Sequence, residues 1–278
     1  PNVFPALNLT FFKETAGKML AWLRNMQFKN GQLARLKDST PQIAPSASQL
    51  LHYAQNLGVQ PATLPLNASG YRMQRFATYE LLVDMGSVIA NYIPGHAHAD
   101  IFNFVLHHRQ QPLLVDTGIS TYEKNAQRQH ERSTAAHNTV QIGEWNQSDV
   151  WGGFRVGKRA QIYNLQEDES VIKATHDGYT NLGIQHERSF RWQSDGIDID
   201  DRLNDTADAC ARFHFHPDVR IELEGNRLVG RFGQLTFTHH QKIELQTYQY
   251  ASAYNQLIAA PVAVVYFDQQ LTTQIRLV

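Results

Sequence analysis

The 278-residue sequence contains a single cysteine, Cys210. One thiol excludes an internal disulfide framework and a cysteine-rich zinc site. Long hydrophobic runs are missing as well. The longest, Leu257 to Phe267, is of strand length and carries Pro261, well short of the roughly 20 apolar residues that a membrane-crossing helix needs. Charge of one sign is also lacking: 25 Lys+Arg stand against 26 Asp+Glu, for a net charge of -1. That balance removes the whole-molecule electrostatic footprint of a nucleic-acid or anionic-membrane binder. Neither internal repeats nor low-complexity tracts occur. With 42% hydrophobic and 18% charged residues, the chain has the make-up of a globular protein with a real core, and its length suits one large or two modest domains. It opens on Pro-Asn-Val-Phe rather than a methionine or a leader, as expected of a C-terminal portion of a longer polypeptide.

Residues 8–27 read as a helix, because Leu9, Phe12, Ala16, Met19, Leu20 and Leu23 recur at three- and four-residue spacing and share one face. Lys29-Asn30-Gly31 marks a turn and residues 38–45 a loop. Ser46 is placed to cap a second helix that ends near Leu57-Gly58. Pro61, Pro65 and residues 67–70 read as a linker. Beyond residue 70, short alternating or β-branched runs take over at 79–83, 102–106, 112–115, 139–142, 160–163, 171–174, 197–201, 212–216, 220–223, 227–231, 234–238 and 262–267. Strands at this spacing with almost no helical pattern between them indicate an antiparallel sandwich or barrel.

The chemistry-bearing stretch runs from Gly95 to Ala160. It opens with Gly95-His96-Ala97-His98-Ala99-Asp100; in an extended segment His96, His98 and Asp100 share one face. Val115-Asp116-Thr117-Gly118 ends an apolar strand with a carboxylate, and Ala136-His137-Asn138-Thr139 leads into another. Two imidazoles and a carboxylate suit zinc better than calcium or magnesium. His98, Asp116 and His137 are thus one candidate ligand set, and a strand histidine bonded to a backbone carbonyl is the plainer alternative.

The string GHAHAD, the strand NFVLHHRQQPLLVDTG and the run RSTAAHNTVQIGEWNQSDVWGGFRVGKRA resemble the C-terminal β-sandwich of the heparinase II/III-like polysaccharide lyases. HDGYTNLGIQHERSF at 176–190 fits the same domain, and LKDSTPQIAPSASQLLHYAQNLG is similar to the end of the helical domain before it. The resemblance implies a mainly β architecture: a short α-helical segment at 1–65, the end of an (α/α) toroid, followed by a large antiparallel sandwich at 66–278. It implies β-elimination on an anionic, uronic-acid-containing polysaccharide, a glycosaminoglycan or alginate. It further implies a structural zinc held by His98, Asp116 and His137, with His96 facing the substrate, and a periplasmic or secreted setting. An upstream helical domain of the same protein is implied as the partner. In the family that domain supplies the principal Asn/His and the catalytic Tyr. Residues 1–60 contain no Asn-His pair, and Tyr53 lies in the terminal helix, so this chain is not expected to run the full elimination alone.

Removing the proton at C5 of a uronate builds charge beside an existing carboxylate. A lyase must therefore neutralise that carboxylate, place a base on C5–H and protonate the departing O4. His96 is the candidate for neutralisation or proton transfer, and Tyr122 for a phenol near the sugar. Arg132 offers a planar fork to a substrate carboxylate, or else an ion pair to Glu131 or Glu123. Asn138 is a substrate contact or a backbone anchor at its strand entrance. Trp145 is a stacking platform for a sugar ring or the cover of a core edge. His214 and His216 share a strand face and read as ordinary sandwich residues, while the neighbours His107 and His108 point to opposite faces. Lys124, Arg128, Arg132, Arg155, Lys158 and Arg159 form a local basic excess that suits a polyanion. Two other classes compete with the lyase: a non-catalytic carbohydrate-binding or scaffold module that keeps the zinc, and a cupin-type metalloenzyme. The cupin fits poorly, since Asp100 follows the His-x-His pair too closely.

Overall fold

The computed structural model describes residues 9–66, 69–87 and 92–278, so positions 67 and 68 of the expected linker and residue 8 of the expected first helix lie outside the described residues. Helix α1 (Thr10–Asn25) buries its small residues Gly17 and Ala21, and leaves Phe12 and Met19 of the expected apolar face exposed. Helix α2 (Ala47–Asn56) begins with a reciprocal cap, in which Ser46 Oγ accepts from the Gln49 N–H at 3.3 Å and Gln49 Oε1 accepts from the Ser46 N–H at 2.8 Å. Such a cap contributes about 1 kcal/mol, and Gly58 then ends the turn at φ 68°.

An antiparallel meander follows: β1 (Tyr71–Arg75), β2 (Tyr79–Asp84), β3 (Phe104–His108) and β4 (Gln111–Leu114). After the short helix α3 (Ala126–Glu131) come β5 (Val140–Ile142) and a small hairpin of β6 (Val150–Trp151) with β7 (Arg155–Val156). The chain continues through β8 (Ile162–Glu167), β9 (Val171–His176), β10 (His186–Gln193), β11 (Gly196–Leu203) and β12 (Ala209–His214). It finishes with β13 (Glu222–Glu224), β14 (Arg227–Gly230), β15 (Gly233–Thr238), β16 (Lys242–Ala253), β17 (Gln256–Phe267) and β18 (Gln270–Leu277).

An eight-stranded sheet, ordered β13-β14-β15-β18-β11-β10-β9-β8, forms one layer. The other layer consists of the meander and the four-stranded sheet β16-β17-β12-β5, stitched together by a bridge between Leu114 and Phe215. Leu81, Phe104 and Leu106 from the meander meet Phe190, Ile199 and Phe237 from the large sheet and Phe213 from β12 in one core. Phe104 lies edge-on to Phe190 at 5.5 Å, a favoured aromatic geometry.

Alternation along β2 decides where the first helical segment sits. Leu81 and Val83 enter the sandwich core, whereas Leu82, paired with Val105 of β3, faces the other way. Met26, Phe28, Ala34 and Leu36 from the stretch after α1 cover those two side chains. Fully burying an aliphatic side chain is worth about 1.5–3 kcal/mol, so this second core clamps residues 26–36 to the meander. Lys37 and Asp38 therefore emerge at a fixed place beside the loop that carries His96.

Candidate functional site

Residues 95–100 fold as turns and bends, unlike the extended segment that would align His96, His98 and Asp100. The Ala97 N–H donates to the Pro94 carbonyl at 2.9 Å, which closes a turn. His96 and His98 nonetheless converge, because both reach the carboxylate of Asp38. His96 Nδ1 lies 2.7 Å from Asp38 Oδ2, and His98 Nε2 lies 2.8 Å from Asp38 Oδ1. Arg128 adds a two-pronged contact, Nη1 to Oδ1 and Nη2 to Oδ2. Burial alone would raise the Asp38 pKa, but the hydrogen bonds from His98 and Arg128 and the guanidinium charge hold it well below the usual carboxylate range.

Asp38 is thus an acceptor throughout. Each imidazole spends one ring nitrogen on it, leaving the other free. Those free nitrogens have opposite settings: the His96 side chain is 64% exposed, while that of His98 is fully buried. Burial lowers the His98 pKa despite Asp38, which keeps the ring neutral.

Arg128 projects inward because Asn125 caps α3, its Oδ1 accepting from the Arg128 N–H at 2.9 Å. Its guanidinium carbon lies 5.1 Å from the Tyr122 ring centre and 5.3 Å from that of Phe154. Tyr122 in turn stands 6.0 Å from the His96 ring, centre to centre. Burial, then the Asp38 charge, raises the Tyr122 pKa and keeps the phenol protonated. His96 also lines a mainly apolar cavity of about 360 Å³, with Trp22, Leu36, Tyr71 and Pro94.

Asp116 lies at the turn after β4, where Gly118 (φ 75°) turns the chain so closely over β16 that a Cβ would stand 3.1 Å from the Ala251 carbonyl oxygen. Asp116 Oδ2 accepts from His137 Nδ1 at 2.7 Å and from Asn103 Nδ2 at 2.5 Å, and Oδ1 accepts from the Gly118 N–H at 3.0 Å. His98 and His137 are neighbours, with ring centres 5.3 Å apart. His98 Nδ1 and His137 Nε2 are both buried with no hydrogen-bond partner. Among the described residues, no three His, Cys, Asp or Glu side chains are grouped as a metal shell.

The remaining sequence candidates fall elsewhere. Arg132 is buried rather than presented to a substrate, and makes neither of the ion pairs considered from the sequence. Its Nε and Nη2 donate to the Ala97 carbonyl at 3.2 and 2.9 Å, fastening the histidine turn from below. Asn138 is a buried anchor: its amide nitrogen donates to the Phe104 and Val115 carbonyls, and its Oδ1 accepts from the His214 N–H at 2.7 Å. Trp145 is exposed just after β5. Sequence reasoning missed Asp38, the centre of the cluster, since nothing in the spacing links it to histidines about 60 residues away. It also missed Lys37, whose ammonium bridges Asp84 at 2.8 Å and Asp100 at 2.7 Å, and it treated Arg128 only as part of a basic excess.

Sandwich layers thus follow a helical lead-in, with a histidine–carboxylate cluster where the two meet. The family model described as heparinase II/III-like, C-terminal, matches residues 60–277, and the chain belongs to that family. The heparan sulfate lyase HepC from Pedobacter heparinus superposes with a TM-score of 0.74 at 14% identity, covering 96% of this chain and 47% of that protein. A heparinase III gene product gives 0.71 at 13% identity, with 97% and 47% covered, and another heparinase III structure gives 0.64 at 13%, with 98% and 49% covered. This chain therefore spans about half the length of those proteins. A search of curated proteins finds no match to it.

Proposed function

We propose that this chain is the sandwich portion of a polysaccharide lyase that cleaves a uronic-acid-containing polysaccharide by β-elimination. The observation that carries the reading is the exposed His96, tethered through Nδ1 to a buried, ionised Asp38 and standing beside Tyr122. A carboxylate behind an imidazole fixes its tautomer and stabilises the imidazolium that forms when the outer nitrogen takes a proton, the logic of a histidine–aspartate pair. His96 Nε2 is then the group that removes or shuttles the C5 proton, and the Tyr122 phenol the group that returns one to the departing O4. The apolar cavity beside them suits the C–H faces of sugar rings.

Zinc belongs to the same proposal. The orphaned, buried His98 Nδ1 and His137 Nε2 fit a divalent ion; Asp116, the third member of the proposed set, holds His137 by the opposite nitrogen, Nδ1, and would reach the ion only by giving up that bond. A bound zinc there would supply charge and cross-linking between loops, a structural role. Upstream helices of the same polypeptide are proposed to cover the apolar side chains exposed on α1 and α2, Phe11, Phe12, Met19 and Tyr53, and to bring the remaining catalytic groups. A periplasmic or secreted setting accords with an extracellular polymer as substrate.

The test is the ultraviolet absorbance of unsaturated uronate on incubating the full-length protein with heparan sulfate, chondroitin sulfate, hyaluronan and alginate. A steady rise with at least one polymer is expected. Silence with all of them overturns the lyase reading.

A further inference from the structure

A second pocket lies in the seam between residues 28–35 and the meander. It measures about 70 Å³, and Arg35, His107, His216 and Tyr250 line it. Ligand pockets for whole molecules run to about 300–1,000 Å³, so this one admits a small group and not a sugar ring. Among its apolar walls, Arg35, Tyr250 and His216 present donors. Arg35 Nη1 donates to the Tyr250 hydroxyl at 3.1 Å, which leaves the phenol its own proton to give. His216 Nδ1 accepts weakly from the Asp218 N–H at 3.3 Å, so its Nε2 carries the hydrogen.

His107 is the unusual member. It is 5% exposed and stacked on Phe28 with ring centres 3.6 Å apart, and its Nδ1 has no hydrogen-bond partner. Burial, followed by the neighbouring His216 and Arg35, pushes its pKa down to about 4 and keeps the ring neutral. Two acids stand near. Asp116 lines one wall, but both its oxygens are taken by His137, Asn103 and Gly118. Asp218 lies 3.5 Å from His216, with its side chain 91% exposed. Arg35, Tyr250 and His216 thus offer donors to one small space, the buried His107 ring meets it with an unpartnered Nδ1, and a bound oxyanion would accept from them together.

We propose that this seam pocket binds one oxyanionic group, a sulfate or a carboxylate, held by Arg35, Tyr250, His216 and His107. The neighbouring depression indicates its source. Sharing Pro112 with the pocket, it measures about 980 Å³ and carries Arg109, Arg220 and Arg231 along with Asp218 and Glu222. None of those three arginines makes an ion pair or side-chain hydrogen bond among the described residues. A sulfated sugar chain can seat one charged group in the seam and lay others along the arginines. This deepens the polysaccharide reading, and rests on it only for where the group comes from.

The experiment is calorimetric titration of the full-length protein with sodium sulfate at an ionic strength held constant with sodium chloride. Saturable binding is expected, at least ten-fold weaker in Arg35→Gln and in His216→Gln and partly kept in Arg35→Lys, with melting temperatures confirming that each variant is folded. No saturable binding beyond the chloride control, or undiminished binding in folded Arg35→Gln, overturns the proposal. A sulfated glucosamine–uronate tetrasaccharide that displaces sulfate, and binds more weakly to an Arg109→Gln/Arg231→Gln variant, identifies a sugar-borne group. Sulfate binding that the tetrasaccharide does not displace identifies a free ion and refutes the sugar source. Sulfate binding needs no turnover, so a chain that binds it without lyase activity refutes the activity reading alone.

Discussion

Replacing Asp38 with alanine probes the centre of the site. The Asp38 side chain is 5% exposed and that of Arg128 is fully buried. Without the carboxylate, the guanidinium keeps one hydrogen bond, from Nε to the Gly153 carbonyl at 3.0 Å, and its stacking against Tyr122 and Phe154. Breaking a buried ion pair by removing one partner costs about 3–5 kcal/mol, because the other charge stays buried and unpaired. At about 2–4 °C per kcal/mol for a domain of this size, Asp38→Ala should lower the melting temperature by about 6–20 °C. Urea denaturation followed by tryptophan fluorescence gives the free energy directly. Adding Arg128→Met should recover part of the loss, since the double variant carries no stranded charge, and a double-mutant cycle reads the coupling. An Asp38→Ala protein within about 0.5 kcal/mol of wild type, the range of an ordinary surface substitution, would refute the reasoning.

Other outcomes follow from the same geometry. His98→Ala should lower zinc content by elemental analysis together with melting temperature, whereas His96→Ala, changing an exposed ring, should leave both near wild type; zinc retained in His98→Ala would remove His98 as a ligand. Acidification should destabilise the fold in two stages. Burial holds His176 well below 6.5 and lowers His186, so both stay neutral in the fold while the unfolded chain takes up protons, and stability falls as pH drops below about 6.5. The depressed carboxylates Asp38 and Asp201 contribute stability above the ordinary carboxylate range and lose it as pH falls through their folded values. A urea midpoint that stays flat between pH 8 and pH 5 would contradict the first stage. Gly196→Ala should cost about 1–3 kcal/mol or more, because its Cβ would stand 1.9 Å from the Ile275 carbonyl oxygen; an unchanged melting temperature would show that β11 and β18 can part there.

Strands that alternate apolar with polar residues could be read from the sequence, and β2, β9, β11 and β15 fall within a few residues of their expected spans. The ones overlooked have another pattern. In β10 the inward positions include His186 and Arg188, polar side chains that the core accepts because Asp201 pairs with both, at 2.7 Å each. The first half of β16 is largely exposed and polar, and β18 buries Thr273. Helix α3 is six residues of AQRQHE without an apolar face; it is held by its Asn125 cap and by Glu131, which accepts from Ser120. At the site, the histidines and Asp116 could be picked out because their motifs are local. Asp38 could not: its role depends on Leu82 and Val105 clamping the segment before it, a contact between distant parts of the chain that no local spacing encodes.

The most direct measurement is kcat/KM of the His96→Ala full-length protein on the polymer that gives the strongest unsaturated-uronate signal. A general acid or base contributes about 10²–10⁴-fold, so a loss of that size is expected, with melting temperature and zinc content unchanged. Activity within a few-fold of wild type would show that the exposed imidazole on Asp38 takes no part in the chemistry.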